Sequence, residues 1–224
     1  MSDYSPSDFL RALNAEQKRI AVRAWAYVVG YLLLTTAPHT YLDFYHWDVY
    51  GAYPWIGFFE WALTYLLLLV VMKTGGYFAE GKTSGIGTYF VLGLVTGIAI
   101  ILAAIVFILP GLYLLMRWLP VFARVLTAEE RIGQAMRWSW DATEHFQKPL
   151  SLALLGPALC YAISLAAALS YDENLLAYQL AMAIMNFALN LGSVWLTILG
   201  VAAFGMLREL GHEKEDLDPT AEPA

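Results

Sequence analysis

The stretch that decides the fold is residues 85–109, which read GIGTYFVLGLVTGIAIILAAIVFIL. It carries no charged side chain and no proline over its whole length. An α-helix rises about 1.5 Å per residue, so about 20 apolar residues are enough to cross the hydrocarbon core of a bilayer. The sequence therefore predicts a transmembrane helix over this stretch.

Five further apolar runs have the same character and cover about residues 20–38, 54–72, 111–126, 149–170 and 175–207. The fourth run along the chain is short and contains Pro120, which makes it the weakest of the six. The chain is 59% hydrophobic and 14% charged, whereas a soluble domain is about 25% charged. So few charges cannot cover a water-facing surface. We expect an all-α, polytopic bundle of about six transmembrane helices, forming one domain over residues 1–207.

Two amphipathic segments are predicted to lie in the membrane surface, at about residues 6–19 and 128–146. The first begins after Ser5 and feeds the first transmembrane run. The second begins at a capping box formed by Thr127 and Glu130, and its apolar residues share one helical face. Both segments are therefore predicted to be interfacial helices.

Basic residues indicate which side of the membrane each loop faces. Twelve of the thirteen Lys and Arg residues lie around the start of the first run, in the loop 73–84, around the segment 124–148, or after the last run. The loops 39–53 and 171–174 contain none. We therefore expect both termini on the cytoplasmic side of the membrane.

The C-terminal segment 208–224 carries six acidic and two basic residues, and the whole chain has a formal net charge of −6. Its composition predicts a disordered cytoplasmic tail. No basic face exists in the sequence for nucleic acid.

Glu60 and Arg117 are charged residues within predicted spans, each about six residues from the outer end. Charges at such depth usually pair with each other or line a wet cavity. The sequence therefore predicts that the two residues face each other as an intramembrane charge pair. The pair would either fix the helix packing or act as a relay for protons or substrate.

The last apolar run carries a stripe of polar residues, Gln179, Asn186, Asn190, Ser193 and Thr197. From Asn186 onward the spacing is four, three and four, which places the groups on one helical face. Two interpretations follow. The stripe either forms hydrogen bonds between helices, which the sequence favours, or lines a polar groove for lipid headgroups or a small solute.

Gly93 and Gly97 form a small-xxx-small pattern in the third run. Small residues at this spacing permit close approach of two membrane helices, so the pair is predicted to be a helix-packing site.

A metal site is not predicted, and no cofactor is expected. His39, Asp43, His46 and Asp48 lie close together in the sequence, but their spacing matches no tight metal-ligand motif. Cys160 is a single cysteine, which excludes a disulfide or a cysteine-based metal site within one chain.

Two segments resemble a known family, residues 109–120 (LPGLYLLMRWLP) and residues 131–140 (RIGQAMRWSW). A Pro-Gly-x-Tyr-Leu turn, an Arg-Trp pair and an amphipathic helix with Ser-Trp are similar to the six-helix membrane domain fused to some glycerophosphoryl diester phosphodiesterases. That domain also occurs as stand-alone bacterial inner-membrane proteins. The catalytic barrel of the phosphodiesterases has no counterpart here. The resemblance implies the fold and an envelope-lipid setting, and it implies no phosphodiesterase activity.

These observations predict a non-catalytic integral inner-membrane protein. We expect a role in envelope or lipid homeostasis, or as a membrane-embedded partner of another protein. Its partners would be membrane lipids and either a protein or a second copy of the chain. The alternative is a small transporter or channel that uses the polar stripe with Glu60 and Arg117. A membrane enzyme is the weakest reading, because the sequence shows no paired acid and base at a suitable spacing.

Overall fold

A computed structural model describes residues 5–45, 53–78, 86–106, 108–127, 131–170 and 175–217. All regular secondary structure within these ranges is helical, and none of it is strand. The prediction of an all-α fold is confirmed.

The helices cover the predicted apolar runs, but the runs 111–126 and 149–170 are each divided between two helices. They are α1 (Pro6–Tyr45), α2 (Tyr53–Gly75), α3 (Ile86–Val106), α4 (Ile108–Arg117), α5 (Val121–Thr127), α6 (Ile132–Thr143), α7 (Gln147–Ala153), α8 (Leu155–Leu169) and α9 (Leu175–Leu217), with a 3₁₀ turn at Glu144–Phe146. Within the described ranges, five helical segments are long and apolar enough to cross a membrane, and a sixth is added if the bent pair Ile132–Ala153 and Leu155–Leu169 counts as one span. The chain is a multi-pass membrane protein.

Large apolar side chains are exposed along these helices, and they form an apolar surface suited to contact with lipid. Those more than half exposed include Trp25, Leu33, Trp55, Ile105, Leu109, Leu169 and Leu176. A soluble monomer seldom exposes contiguous apolar patches larger than a few hundred Å².

The predicted interfacial helix 6–19 and the first span 20–38 form one continuous helix of 40 residues, α1. The segment that was predicted to feed the first span runs into it without a break, because no glycine or proline lies between Pro6 and Gly30 to end the helix. Pro38 lies inside α1, which continues to Tyr45.

The predicted fourth span, 111–126, is two helices, α4 and α5, separated at residues 118–120. Pro120 has no backbone N–H, so it cannot donate to the carbonyl of Met116 as an α-helix requires. That carbonyl instead accepts a hydrogen bond of 3.4 Å from the N–H of Leu119. The proline that made this run the weakest of the six thus marks the break.

The predicted capping box at Thr127 is wrong. The Thr127 hydroxyl donates to the carbonyls of Ala123 and Arg124, at 3.1 Å each, and so belongs to the end of α5. The amphipathic helix begins instead at α6, where the N–H of Arg131 donates to the side chain of Gln134 at 3.0 Å. Residues 128–130, which include Glu130, lie outside the described residues.

The predicted disordered tail is helical at its start. Helix α9 continues through residues 208–217, because the helix has no proline before residue 219 to stop it. Residues 218–224 lie outside the described residues.

The chain forms two compact units. Unit 1 comprises Met1–Ile20, Met72–Ala153 and Leu199–Ala224, and unit 2 comprises Ala21–Val71 and Leu154–Ile198. A core of unit 1 joins α3, α5 and α6 and consists of Leu92, Val121, Val125 and Ala135, with Trp118, Phe122, Ile132 and Met136 packed against it.

Packing in unit 2 brings α8 close to α9. The ring of Trp195 covers Gly156, where an added Cβ would lie 2.4 Å from the indole. Gly192 similarly faces Cys160 and Tyr161, with an added Cβ at 3.2 and 3.3 Å. The two glycines therefore allow the helices a separation that larger residues would prevent.

Candidate functional site

Four residues of α4 and α6 meet in unit 1 and form the Arg117 cluster, which consists of Tyr113, Arg117, Ser139 and Trp140. The guanidinium carbon of Arg117 lies over the Trp140 ring, 4.3 Å from its centroid, and 5.9 Å from the centroid of Tyr113. The Tyr113 and Trp140 rings meet edge to face at 5.8 Å. All four residues belong to the two sequence segments that carry the family resemblance.

The hydroxyl of Ser139 completes the cluster by donating to the backbone carbonyl of Arg117 at 2.7 Å. In an unbroken helix this carbonyl would accept from the N–H of Val121, but that group donates to the Trp118 carbonyl at 3.1 Å. A buried carbonyl without a donor costs free energy, and Ser139, which is fully buried, supplies the donor. The break before Pro120 and the docking of α6 are therefore linked.

Arg117 is 2% exposed, and its Nε and Nη1 atoms have no hydrogen-bond partner among the described residues. The faces of the Trp140 and Tyr113 rings attract the cation through their quadrupoles. They do not satisfy the N–H groups, which lie in the guanidinium plane. The cluster thus contains a buried positive charge, and two of its donor atoms have no acceptor among the described residues.

Glu60 lies on α2 in unit 2, and its Oε1 atom is 3.0 Å from Nε2 of His39 on α1. The two atoms are in contact range for an ion pair, but Nε2 does not meet the geometry of a directed hydrogen bond. Within unit 2 the partner of Glu60 is His39, and the charge pair of Glu60 with Arg117, which belongs to unit 1, stays a prediction.

Two members of the polar stripe connect α9 to α1 in unit 2. The side-chain amide of Asn186 donates to Asp43 at 2.7 Å and to Thr40 at 3.4 Å. The amide of Asn190 donates to Thr36 at 3.3 Å. Asn186 and Asn190 are only 2% and 6% exposed, and their side-chain amides form hydrogen bonds between α9 and α1.

The remaining members of the stripe make local contacts. Ser193 shares a hydrogen bond of 3.3 Å with Tyr161 on α8 and also donates to the Leu189 carbonyl. Thr197 donates to the Ser193 carbonyl at 2.9 Å, while Gln179 is only partly buried. The hydroxyls of Ser193 and Thr197, which follow Asn190 in sequence, therefore form hydrogen bonds within α9 and with α8.

The predicted packing site at Gly93 and Gly97 is not a close helix contact in the described residues. An added Cβ at Gly97 would meet nothing within 4 Å, and one at Gly93 would meet only Phe122, at 4.0 Å. On α3 the buried residues are instead Leu92 and Thr96, on a neighbouring face. The close approaches occur at other glycines because they depend on which face meets a neighbour.

A second cluster of unit 1, which the sequence reasoning missed, centres on Tyr77. Its hydroxyl donates to Glu16 of α1, and its ring lies against Gly205 of α9. Glu16 also accepts a hydrogen bond of 2.7 Å from Arg19. Burial of Tyr77, reinforced by the hydrogen bond to Glu16, raises the pKa of its phenol above the ordinary value of 10.

Local sequence could have identified Tyr77. Gly76 has a φ of 81°, in the left-handed region that favours glycine. The N–H of Gly76 donates to the Lys73 carbonyl at 3.1 Å, and that of Tyr77 donates to Met72 at 3.0 Å. This is the Schellman ending of α2, in which the residue after the glycine turns back onto the helix. The Gly-Gly-Tyr sequence at residues 75–77 is its signal.

No protein-family model, curated protein or solved structure matches this chain. The similarity of residues 109–120 and 131–140 to the phosphodiesterase-associated membrane domain therefore stays a prediction. Among the described residues, no group of three or more His, Cys, Asp or Glu side chains is arranged to hold a metal ion. The chemistry that the described clusters offer is hydrogen bonding and binding of charge.

Proposed function

We propose that this chain is a non-catalytic integral protein of a bacterial inner membrane, with both termini cytoplasmic, that acts in envelope or lipid homeostasis. In this proposal the chain acts there with membrane lipids as its partners, or else as a membrane-embedded partner of another protein or of a second copy. The observation that carries the proposal is the burial of Asn186 and Asn190 against α1.

A transport path would need these amides to face a continuous polar cavity. They instead donate to Asp43, Thr40 and Thr36 on α1, which is the use of amides that stabilises helix packing in membranes. The strongest polar feature of the sequence is thus engaged in holding helices together. This supports a scaffold within the membrane over a small transporter or channel.

The placement of exposed residues also supports a lipid-facing role. Helix α4 exposes Leu109, Leu112 and Tyr113 beside a buried cation, so apolar surface and positive charge are neighbours on one helix. A phospholipid is complementary to both features, because its acyl chains are apolar and the phosphate of its headgroup is negatively charged.

The test has two arms, both on the full chain, the first in mild detergent and the second in liposomes. Native mass spectrometry with lipid extraction should find a retained, stoichiometric phospholipid or a partner subunit. In liposomes, Asn186→Leu should lower the thermal stability, by about 1 kcal/mol, and should change no solute flux. Gln179→Leu, on the same stripe but only partly buried, is the matched control and should have little effect on stability.

The opposite result would favour the transporter. A chain that retains nothing and conducts a solute, with flux lost in Asn186→Leu at unchanged stability, would contradict the proposal.

A further inference from the structure

The buried cation of unit 1 lacks a complete set of partners. Only 2% of the surface of Arg117 is exposed, and its Nε and Nη1 atoms have no acceptor among the described residues. Buried polar groups in proteins are nearly always hydrogen-bonded, so such an exception calls for a ligand or a bound water. Arginine is always charged, so the group cannot escape the penalty by losing its proton.

The neighbouring aromatic rings contact the guanidinium of Arg117, but they accept no hydrogen bond from its Nε and Nη1 atoms. Trp140 faces the guanidinium at 4.3 Å and Tyr113 lies at 5.9 Å, which stabilises the cation through its flat face. The Ser139 hydroxyl donates to the backbone carbonyl of Arg117, and its oxygen does not accept from Nε or Nη1 of the guanidinium. Among the described residues Nε and Nη1 therefore have no acceptor, and an acceptor outside them would approach in the plane of the guanidinium.

The described helices of the cluster offer no carboxylate for this purpose. Helix α4 contains no acidic residue, and Asp141 of α6 is exposed. In the described residues, the ion pairs that form involve other cations. The complementary negative charge must come from outside these helices.

We propose that the Arg117 cluster binds a phosphate oxyanion, supplied by the headgroup of a phospholipid. The planar fork of a guanidinium matches the oxygens of a phosphate in a bidentate manner. The surface of α4 next to the cluster is apolar and exposed at Leu109 and Leu112, which suits the acyl chains of the same molecule. This inference rests on the proposed lipid role and identifies the residues that carry it.

Tyr113 is the accessible member of the cluster, since it is 41% exposed while Arg117 is enclosed. A headgroup arriving along α4 meets the Tyr113 ring first. In this proposal the Tyr113 ring moves aside to admit the headgroup, while Trp140 keeps its contact with the guanidinium. The phenol then lines the bound headgroup as an aromatic residue of the membrane interface.

The experiment measures lipid binding to the full chain in detergent by native mass spectrometry. The probes are dioleoylphosphatidylglycerol, dioleoylglycerol, which has the same acyl chains without phosphate, and inorganic phosphate. The variant is Arg117→Lys, which keeps the charge and removes the fork. The matched control is Arg124→Lys, because Arg124 also stacks on a tryptophan, Trp138, at 4.8 Å but has further interactions.

We expect the phospholipid to bind about tenfold more weakly to Arg117→Lys and about equally to Arg124→Lys. Equal phospholipid binding by Arg117→Lys would overturn the site while leaving the proposed lipid role intact, since the lipid would bind elsewhere. Retention of a partner subunit with no phospholipid bound would overturn the site as well. Absence of any retained lipid or partner would overturn both proposals.

Inorganic phosphate separates the two sources of the oxyanion. If it binds with the same dependence on Arg117 and the phospholipid does not, the lipid is overturned as the ligand. If Arg117→Lys fails to fold, the melting temperature of the wild-type chain with each lipid tests the proposal instead. Its melting temperature should rise more with dioleoylphosphatidylglycerol than with dioleoylglycerol, and equal shifts would overturn the proposal.

Discussion

The hydroxyl of Ser139 donates a hydrogen bond of 2.7 Å to the backbone carbonyl of Arg117, across 22 residues of sequence. It replaces a donor that the chain loses where α4 ends, because the Val121 N–H turns to Trp118 instead. Through this single contact the break caused by Pro120 becomes the docking point of the amphipathic helix α6. The same contact holds Trp140, the next residue along α6, against the Arg117 guanidinium.

Removing this hydroxyl should destabilise the protein. In Ser139→Ala the buried carbonyl of Arg117 loses its side-chain donor, and we expect a loss of about 1–3 kcal/mol. Ser170→Ala is the control, because its hydroxyl is exposed and donates locally to the Ala167 carbonyl. Thermal unfolding in detergent checks both variants, and equal melting temperatures would show that the Ser139 contact contributes nothing.

Adding a methyl group at two glycines should have opposite effects. In Gly200→Ala the new Cβ would lie 2.8 Å from the carbonyl oxygen of Leu119, and backbone cannot give way as a flexible side chain can. We expect a loss of about 1–3 kcal/mol. In Gly97→Ala the Cβ meets nothing within 4 Å, and helix propensity should raise stability by about 0.5 kcal/mol.

Thermal unfolding compares the two alanine variants under one condition. A strongly destabilised Gly97→Ala would restore the packing role that the small-xxx-small pattern predicts. An unchanged melting temperature in Gly200→Ala would show that the backbone at Leu119 can shift to accommodate the new Cβ.

The partner of Glu60 can be identified by double-mutant cycles. With His39→Gln and Glu60→Gln we expect a coupling of about 0.5–1 kcal/mol, because Nε2 and Oε1 lie 3.0 Å apart in a half-buried contact. With Arg117→Gln and Glu60→Gln we expect the effects to be additive within about 0.5 kcal/mol. Coupling only in the second cycle would contradict the His39 contact and support the charge pair that the sequence predicts.

The stability conferred by Tyr77 should depend on pH in the alkaline range. Its phenol pKa is raised by burial and by the hydrogen bond to Glu16, so folding favours the neutral form. The contribution is complete below the ordinary pKa of 10 and is lost as the pH rises towards the higher value in the folded chain. Tyr77→Phe removes it at every pH.

The measurement is thermal unfolding of both chains from pH 8 to pH 11. At pH 8 we expect Tyr77→Phe to be less stable by about 1.5 kcal/mol, and the gap should shrink above pH 10. Tyr27→Phe, at an exposed tyrosine, is the control. A gap that stays constant over this range would rule out a contribution from phenol ionisation.

Much of the fold could be predicted from local sequence. The length of an uncharged apolar run depends only on composition, and it placed the ends of α2 and α3 within three residues of the observed ends. Pro120 marked the break between α4 and α5 for an equally local reason, the missing N–H. The four, three, four spacing in α9 likewise put Asn186 and Asn190 on one face, which is the face that meets α1.

Sequence by itself therefore determined that the chain is an all-helical membrane protein, where its helices run and which residues share a face. Only the tertiary structure decided which residues meet. It placed Glu60 beside His39, put Arg117 over Trp140, and turned Tyr77 onto Glu16. Helical periodicity fixes the relative direction of side chains within one helix, whereas a contact between helices also depends on how each helix is rotated and packed, and local sequence carries no measure of either.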